Sequence, residues 1–92
     1  MLIAEVTGTV VATRKHESLT GSKLLLVRPL YSGRRGETFV AVDAVGAGRG
    51  ELVLVATGSA ARMGLGVPHA PVDMTIVGII DKVEGDIKGL AR

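Results

Sequence analysis

Apolar and polar side chains alternate along residues 2–13, and this period of two predicts a β-strand with one apolar face. Short apolar runs recur further along the chain, each bounded by glycine, proline or clusters of polar residues. These runs predict four more strands, at residues 23–28, 38–45, 51–57 and 73–83. Five short strands without a sustained helical period favour an all-β fold, either a small antiparallel barrel or a sandwich. A five-stranded OB-like barrel is the preferred form.

The segments between the predicted strands are interpreted as loops, apart from one short helical turn. Residues 14–22 are polar, and 31–37 is typical of a hairpin loop. Residues 58–63 are expected to hold the helical turn, with Ser59 near its amino end, where a hydroxyl accepts a backbone hydrogen bond. The polar tail at 85–92 is expected to fray or to dock. Since no linker or repeat divides the chain, residues 1–92 are predicted to form a single β-barrel domain.

The later strands are apolar on both faces. In the third predicted strand, one set of alternating residues is Val40, Val42 and Ala44, and the other is Phe39, Ala41 and Val45. A small barrel turns one face of every strand outward, and a 92-residue chain buries only about two-thirds of its unfolded surface. No long helix is predicted that would cover the second apolar face. We therefore expect a partner subunit to cover it.

The composition excludes several classes of protein. The chain has no cysteine, which removes disulfides, thiolate metal sites and a cysteine nucleophile. Its apolar runs are far shorter than the roughly 20 residues that span a bilayer, and no targeting segment is evident, so a soluble protein without membrane partners is expected. The net charge of +2 is too small for the electrostatic footprint of a dedicated nucleic-acid binder.

Three glycines stand in the segment Gly46-Ala47-Gly48-Arg49-Gly50, between the third and fourth predicted strands. A phosphate-binding loop would need a helix directly after the glycines, because the first N–H groups of that helix receive the anion. Here a strand follows. We therefore interpret the segment as a structural turn, in which glycine also allows neighbouring backbones to approach closely.

No catalytic or metal-binding pattern is evident in the sequence. Ser59 lies in no nucleophile-elbow motif, and His16 and His69 belong to no cluster with the spacing of metal ligands. The chain is therefore expected not to be an enzyme and to need neither a cofactor nor a metal. Arg62 has two open interpretations, a solvated charge or a donor to a carboxylate or to backbone carbonyls across an interface.

A second hypothesis is a small OB-like module that binds single-stranded nucleic acid or oligosaccharide. The basic pairs at 14–15 and 34–35 are the residues that would contact phosphate. Such binding also uses aromatic stacking platforms, each worth about 1 to 3 kcal/mol per stacked base. The chain offers only Tyr31 and Phe39. Nucleic-acid binding is therefore the runner-up, behind assembly.

Four blocks of the sequence together resemble one protein family, in the family's order. They are residues 8–15 (GTVVATRK), 21–30 (GSKLLLVRPL), 40–62 with the glycine-rich turn, and 71–81 (PVDMTIVGIID). The family is the pentameric vertex proteins of bacterial microcompartment shells. The resemblance implies a five-stranded OB-like barrel that assembles as a cyclic pentamer and caps the vertices of a polyhedral shell, without catalytic activity. It also implies hexameric or pseudohexameric shell tile proteins as partners, and the bacterial cytoplasm as the location of the shell.

The resemblance assigns two groups of residues to the subunit interface or to the neighbourhood of the central axis. The first group is Asp43, Gly46, Ala47, Gly48, Gly50 and Glu51. The second group is Gly58, Ser59, Ala60, Ala61 and Arg62. Family members usually carry a second serine where this chain has Ala60, so any polar contact that this serine makes is missing here. The arginines at 34–35 face either shell tiles or water.

Overall fold

The computed structural model describes residues 1–30, 36–67 and 69–85. Five strands lie within these ranges: β1 Leu2–Val10, β2 Lys23–Pro29, β3 Phe39–Asp43, β4 Leu52–Thr57 and β5 Met74–Ile79. One α-helix, α1, spans Ser59–Leu65, and a 3₁₀ helix at Glu17–Leu19 lies in a segment that was predicted as a loop. Every predicted strand is present, in most cases with shorter bounds. The all-β prediction with one short helical segment is therefore confirmed.

The strands close into a barrel in the order β1-β2-β3-β5-β4. Neighbouring strands are antiparallel except β3 and β5, which run parallel, with Val42 opposite Thr75. The expectation of a purely antiparallel barrel is wrong at this pair, because of the connectivity. After β3 the chain crosses the end of the barrel to pair β4 with β1, and β5 then fills the gap between β4 and β3. The closed five-stranded barrel agrees with the predicted OB-like form.

Apolar side chains from all five strands fill the barrel interior. Almost completely buried members of this core are Ala4, Val6, Leu25, Val27, Ala41, Val53, Val55 and Ile76. The alternation of β1 holds as far as Val6, after which a β-bulge at Thr7 shifts the register. Gly8 then pairs with Leu26, which points outward because its neighbours along β2 are core residues. The single apolar face predicted for residues 2–13 is therefore wrong beyond the bulge.

A second apolar cluster, which we call the outer cluster, lies outside the barrel, beneath α1 and the segment that follows it. Its buried members are Val42, Ala61, Ala70 and Val72. Gly64 permits this packing, because a Cβ at that position would stand 2.6 Å from Cγ1 of Val77. The expectation that only a partner subunit covers the second apolar face is therefore wrong for Val42. Val40, in contrast, remains 49 % exposed.

Three predictions concern segments that lie wholly or mainly outside the described residues, namely the hairpin loop at 31–37, the basic pair at 34–35 and the C-terminal tail. All three stay predictions. Within the described ranges, no helix has the length and apolar character that crossing a membrane requires.

Candidate subunit interface

The carboxylate of Asp43, at the end of β3, organises the loop that follows. Oδ1 accepts the N–H groups of Val45 and Gly46 at 3.1 Å, and Oδ2 accepts those of Gly46 and Ala47 at 3.0 Å. The Asp43 side chain is only 3 % exposed, so water does not replace these donors at low cost. The backbone N–H groups surround a buried negative charge, and these charge-assisted hydrogen bonds fix the conformation of the loop.

Lys23 faces Asp43 across β2 and β3 and supplies the matching positive charge. Its Nζ lies 3.7 Å from Oδ2 of Asp43 and donates to the carbonyl oxygen of Ala47 at 2.6 Å. The ammonium group therefore bridges the beginning and the middle of the loop. Lys23 was not singled out from the sequence, because only the register between the strands places it opposite Asp43.

The same loop closes one end of the barrel through Ala47, whose side chain is completely buried in the interior core. Further along, the N–H of Gly50 donates to the carbonyl of Val6 at 2.8 Å, and the N–H of Val6 donates to the carbonyl of Glu51 at 3.0 Å. Gly46 and Gly50 have φ values of 85° and 90°, in the left-handed region that favours glycine. The predicted turn is therefore a crossing segment that is tied both to the core and to β1.

Gly48 and Glu51 hold the second half of the loop with a reciprocal pair of hydrogen bonds. The N–H of Gly48 donates to Oε1 of Glu51 at 2.6 Å, and the N–H of Glu51 donates to the carbonyl of Gly48 at 3.2 Å. Gly48 does not have a positive φ, and a Cβ there would stand at an ordinary 3.5 Å from Oε1. The fold of one chain therefore does not explain why residue 48 is glycine.

The second predicted group of residues forms the beginning of α1. Gly58 is the N-cap residue, with a φ of 62°, and its N–H donates to the carbonyl of Asp73 at 2.9 Å. No side chain caps the helix, so the expected capping role of Ser59 is wrong. The cap position falls one residue earlier, on a residue without a side chain. Ser59 and Ala60 are exposed, whereas Ala61 is buried in the outer cluster.

Arg62 donates from Nη1 to the carbonyl oxygen of Val72 at 3.2 Å. This contact ties α1 to the segment that precedes β5, and the arginine is partly buried. The interpretation of Arg62 as a merely solvated charge is therefore wrong. The carbonyl that it binds belongs to its own chain, so a contact of Arg62 across an interface stays a prediction.

The structure does not bring the two predicted groups together within one chain. The first ends at Glu51 and the second begins at Gly58, with the whole of β4 between them. A strand of six residues is about 20 Å long, so the two groups lie at opposite ends of it. The two groups are therefore separate parts of one subunit's surface, and their contact with each other across an interface stays a prediction.

The histidine in the β1–β2 connection has a local structural role. Nδ1 of His16 accepts the N–H of Ser18 at 3.2 Å and lies 2.7 Å from Oγ of the same serine, so it caps the 3₁₀ helix. This cap was not predicted from the sequence, where the His-x-Ser spacing was its only signal. In the part of the chain that the structure describes, no three His, Asp or Glu side chains are grouped so that they could hold a metal ion.

Comparison with known protein sequences gives matches over most of the chain. Residues 1–81 match the family model described as ethanolamine utilisation protein EutN/carboxysome. The chain is 50 % identical over 86 residues to the bacterial microcompartment shell vertex protein GrpN of Rhodospirillum rubrum (strain F11). That alignment covers 91 % of this chain and 97 % of the relative.

The fold is similar to solved structures of shell proteins. The GrpN pentameric microcompartment shell protein from Rhodospirillum rubrum aligns with a TM-score of 0.79 and 46 % identity, over 94 % of this chain and 99 % of that one. A pentameric shell protein from the RMM microcompartment aligns with a TM-score of 0.78 and 39 % identity, over 94 % of this chain and 98 % of that one. Sequence and fold therefore indicate the same family.

Proposed function

Because the chain belongs to the EutN/CcmL family, we propose that it is a structural protein that forms pentamers and caps the vertices of a bacterial microcompartment shell. One observation carries the proposal, the similarity over nearly the whole length of both chains to shell proteins that are pentameric. The role is assembly, and the relevant chemistry is the contact between subunits. The proposal therefore includes no catalysis.

The geometry of a closed shell explains why such a pentamer is needed. Six-sided tiles form a flat sheet that cannot close on itself, so five-sided pieces are required where the curvature concentrates. A ring of identical subunits closes through heterologous contacts, in which one patch of each subunit meets a different patch of the next. Hexameric or pseudohexameric tile proteins are the partners that this role requires, in a shell that lies in the bacterial cytoplasm.

The two predicted groups of residues supply one contact between neighbours in this ring. Since the groups lie at opposite ends of β4, the loop of one subunit meets the beginning of α1 in the next. Arg49, Ser59 and Ala60 are exposed in the single chain and are available for this contact. Gly48 supports the assignment, because a glycine that the chain itself does not require suits close approach by another backbone. Asp43 acts indirectly, by holding the loop in shape.

Native mass spectrometry at micromolar concentration tests the oligomeric state. We expect a ring of five chains. A monomer with tight, salt-sensitive binding to single-stranded nucleic acid would contradict the proposal and support the OB-like binding module instead.

Cryo-electron microscopy of shells tests the vertex role. Shells would be produced by co-expressing a hexagonal tile protein with this chain and, separately, without it. We expect five-fold density at the vertices only in the first sample. Shells whose vertices stay empty in the presence of the folded chain would contradict the proposed position.

A further inference from the structure

An apolar groove lies on the outer face of β2 and β3. It has a volume of about 240 Å³, and its lining includes Leu19, Leu24, Val40, Val42, Val72 and Asp73. The outer cluster buries Val42 but leaves nearly half of Val40 in water, although Val40 lies inside a strand. The single chain therefore covers this groove only in part.

A second apolar area lies on the outer face of β4. Leu52 and Leu54 alternate with the buried core residues Val53 and Val55, so they point away from the barrel interior, and both are partly exposed. Leu54 pairs across β4 and β5 with Gly78, which places no side chain beside it. We call Leu52, Leu54 and Gly78 the β4 patch.

Gly78 lies next to a β-bulge, because Leu54 pairs with Gly78 and Val55 pairs with Ile76, so that Val77 is the extra residue. The φ of Gly78 is not positive, and a Cβ there would stand 3.5 Å from Cβ of Leu54, which is an ordinary contact. Gly64 differs, because there a Cβ would collide with a neighbouring side chain. A glycine inside a strand weakens the strand, and it often marks a site where another backbone approaches closely. Gly78 therefore leaves Leu54 without a covering side chain from β5, so a neighbouring chain has room to approach Leu54 there.

The order of the strands places the groove and the β4 patch on different sides of the molecule. In the closed order β1-β2-β3-β5-β4, the shorter way round the barrel from β4 is two strands to β2, through β1, and two strands to β3, through β5. No larger separation exists in a five-stranded barrel. A heterologous ring needs two different patches on each subunit, placed so that one does not block the other.

We propose that the β4 patch of one subunit fills the groove of the next copy of this chain, with Leu54 packed against Val40. This inference rests on the proposed function, since the occupant of the groove is the neighbour in the ring. Each copy carries one groove and one β4 patch, so a closed ring covers every apolar surface of both kinds. An unrelated partner that occupied the groove would leave the β4 patch of each chain in water.

Complementary variants test the proposal. Val40→Asp disables the groove and Leu54→Asp disables the β4 patch, while each leaves the other surface intact. In native mass spectrometry we expect each variant alone to be a monomer, with one fifth of the mass of the wild-type ring. Their equimolar mixture should form two-chain complexes and nothing larger, because only one intact contact is possible. Val11→Asp is the matched control, at a residue that is 90 % exposed and belongs to neither surface, and it should keep the ring.

The outcomes separate this inference from the proposed function. A Val40→Asp or Leu54→Asp variant that remains pentameric would overturn the inference and leave the ring standing, and so would a mixture without two-chain complexes. A wild-type chain that is monomeric would overturn the proposed function itself. Circular dichroism verifies the fold of each variant. If Leu54→Asp fails to fold, Gly78→Gln replaces it, because a Cβ has room at that position in the single chain.

Cross-linking gives an independent measurement. The chain has no cysteine, so a Val40→Cys/Leu54→Cys variant carries one thiol on each proposed surface and none elsewhere. A short bismaleimide should link the chains of this variant into a ladder that ends at five. Each single-cysteine variant should remain unlinked, because in a heterologous contact the two thiols come from different surfaces. A linked dimer of either single variant would show contact between like surfaces and overturn the inference.

Discussion

The Nζ of Lys23 lies 2.6 Å from the carbonyl oxygen of Ala47, although 24 positions separate the two residues along the chain. The methyl group of Ala47 is buried in the barrel core while its carbonyl binds the lysine, so this residue joins the loop to both the interior and β2. Hydrogen bonds between the loop and Val6 add a connection to β1. The loop that we assign to subunit contact is therefore held by three separate parts of the fold.

Replacement of the loop-organising carboxylate should destabilise the protein strongly. We expect Asp43→Ala to lower the free energy of unfolding by about 2 to 5 kcal/mol, because three N–H groups lose their buried, charged acceptor. Lys23→Met should cost about 1 kcal/mol or less, because the lysine is about half exposed. Urea denaturation at a fixed protein concentration measures both, since the stability of an oligomer depends on concentration. Equal losses for the two variants would contradict the role of Asp43.

Gly48→Val should break the ring without unfolding the barrel. The Cβ of the new side chain has room within the single chain, so we expect the main obstacle to the valine in a neighbouring subunit. Light scattering should show loss of the pentamer, while circular dichroism stays close to that of the wild type. Gly46→Val is the contrasting control, because a φ of 85° strains any residue with a side chain by about 1 to 2 kcal/mol. A Gly48→Val variant that remains fully pentameric would remove Gly48 from the interface.

Gly64→Ala should lower the free energy of unfolding by about 1 to 3 kcal/mol, because the new methyl would stand 2.6 Å from Cγ1 of Val77. Alanine stabilises a helix interior by about 1 kcal/mol relative to glycine. A net loss of stability would therefore come from the steric contact and not from helix propensity. Adding Val77→Ala should recover part of the loss. A double-mutant cycle measured by thermal denaturation gives the coupling energy between positions 64 and 77. Purely additive effects would contradict the steric contact between them.

Thr75→Val should stabilise the protein. Thr75 is fully buried, and its Oγ1 has no hydrogen-bond partner among the described residues. Valine replaces the hydroxyl with a methyl of similar size, so the free energy of unfolding should rise by about 1 kcal/mol or more. Thr75→Ser is the control, since it keeps the hydroxyl and loses the methyl, and it should destabilise by about 1 kcal/mol. Denaturation that ranks Thr75→Val below the wild type would show that the hydroxyl is satisfied.

Arg62→Ala should weaken the ring through α1. The substitution removes the hydrogen bond between α1 and the carbonyl of Val72, at a cost of about 1 kcal/mol to the single chain. We expect more dissociation on dilution, followed by light scattering. Arg62→Lys keeps the charge and one donor, so its dissociation should lie between those of the wild type and the alanine variant. Dissociation identical to the wild type would remove Arg62 from the interface.

Much of the fold could be predicted because alternating apolar residues report which side chains are buried. Ala4 and Val6 are in the core, as the alternation along the first predicted strand indicates. The bulge at Thr7 could not be predicted, since an extra residue shifts the register without changing the local pattern. The parallel pairing of β3 with β5 also lacks a local signal, because it depends on where distant segments meet.

The candidate interface was predictable to a smaller extent. The glycine-rich loop and the beginning of α1 came from the resemblance to a family, whereas the contacts of Lys23 follow from strand register alone. Ser59 was assigned as the helix cap because hydroxyls are common capping groups. The structure places Gly58 there instead, with a φ of 62° that a serine would adopt only at a cost.

The burial of Ala47 also bears on quality control during shell assembly. A chain with an incomplete barrel has no cavity for this methyl group and cannot give the loop its shape. Defective copies therefore lack the loop surface that we assign to subunit contact, and we expect them to be left out of the ring.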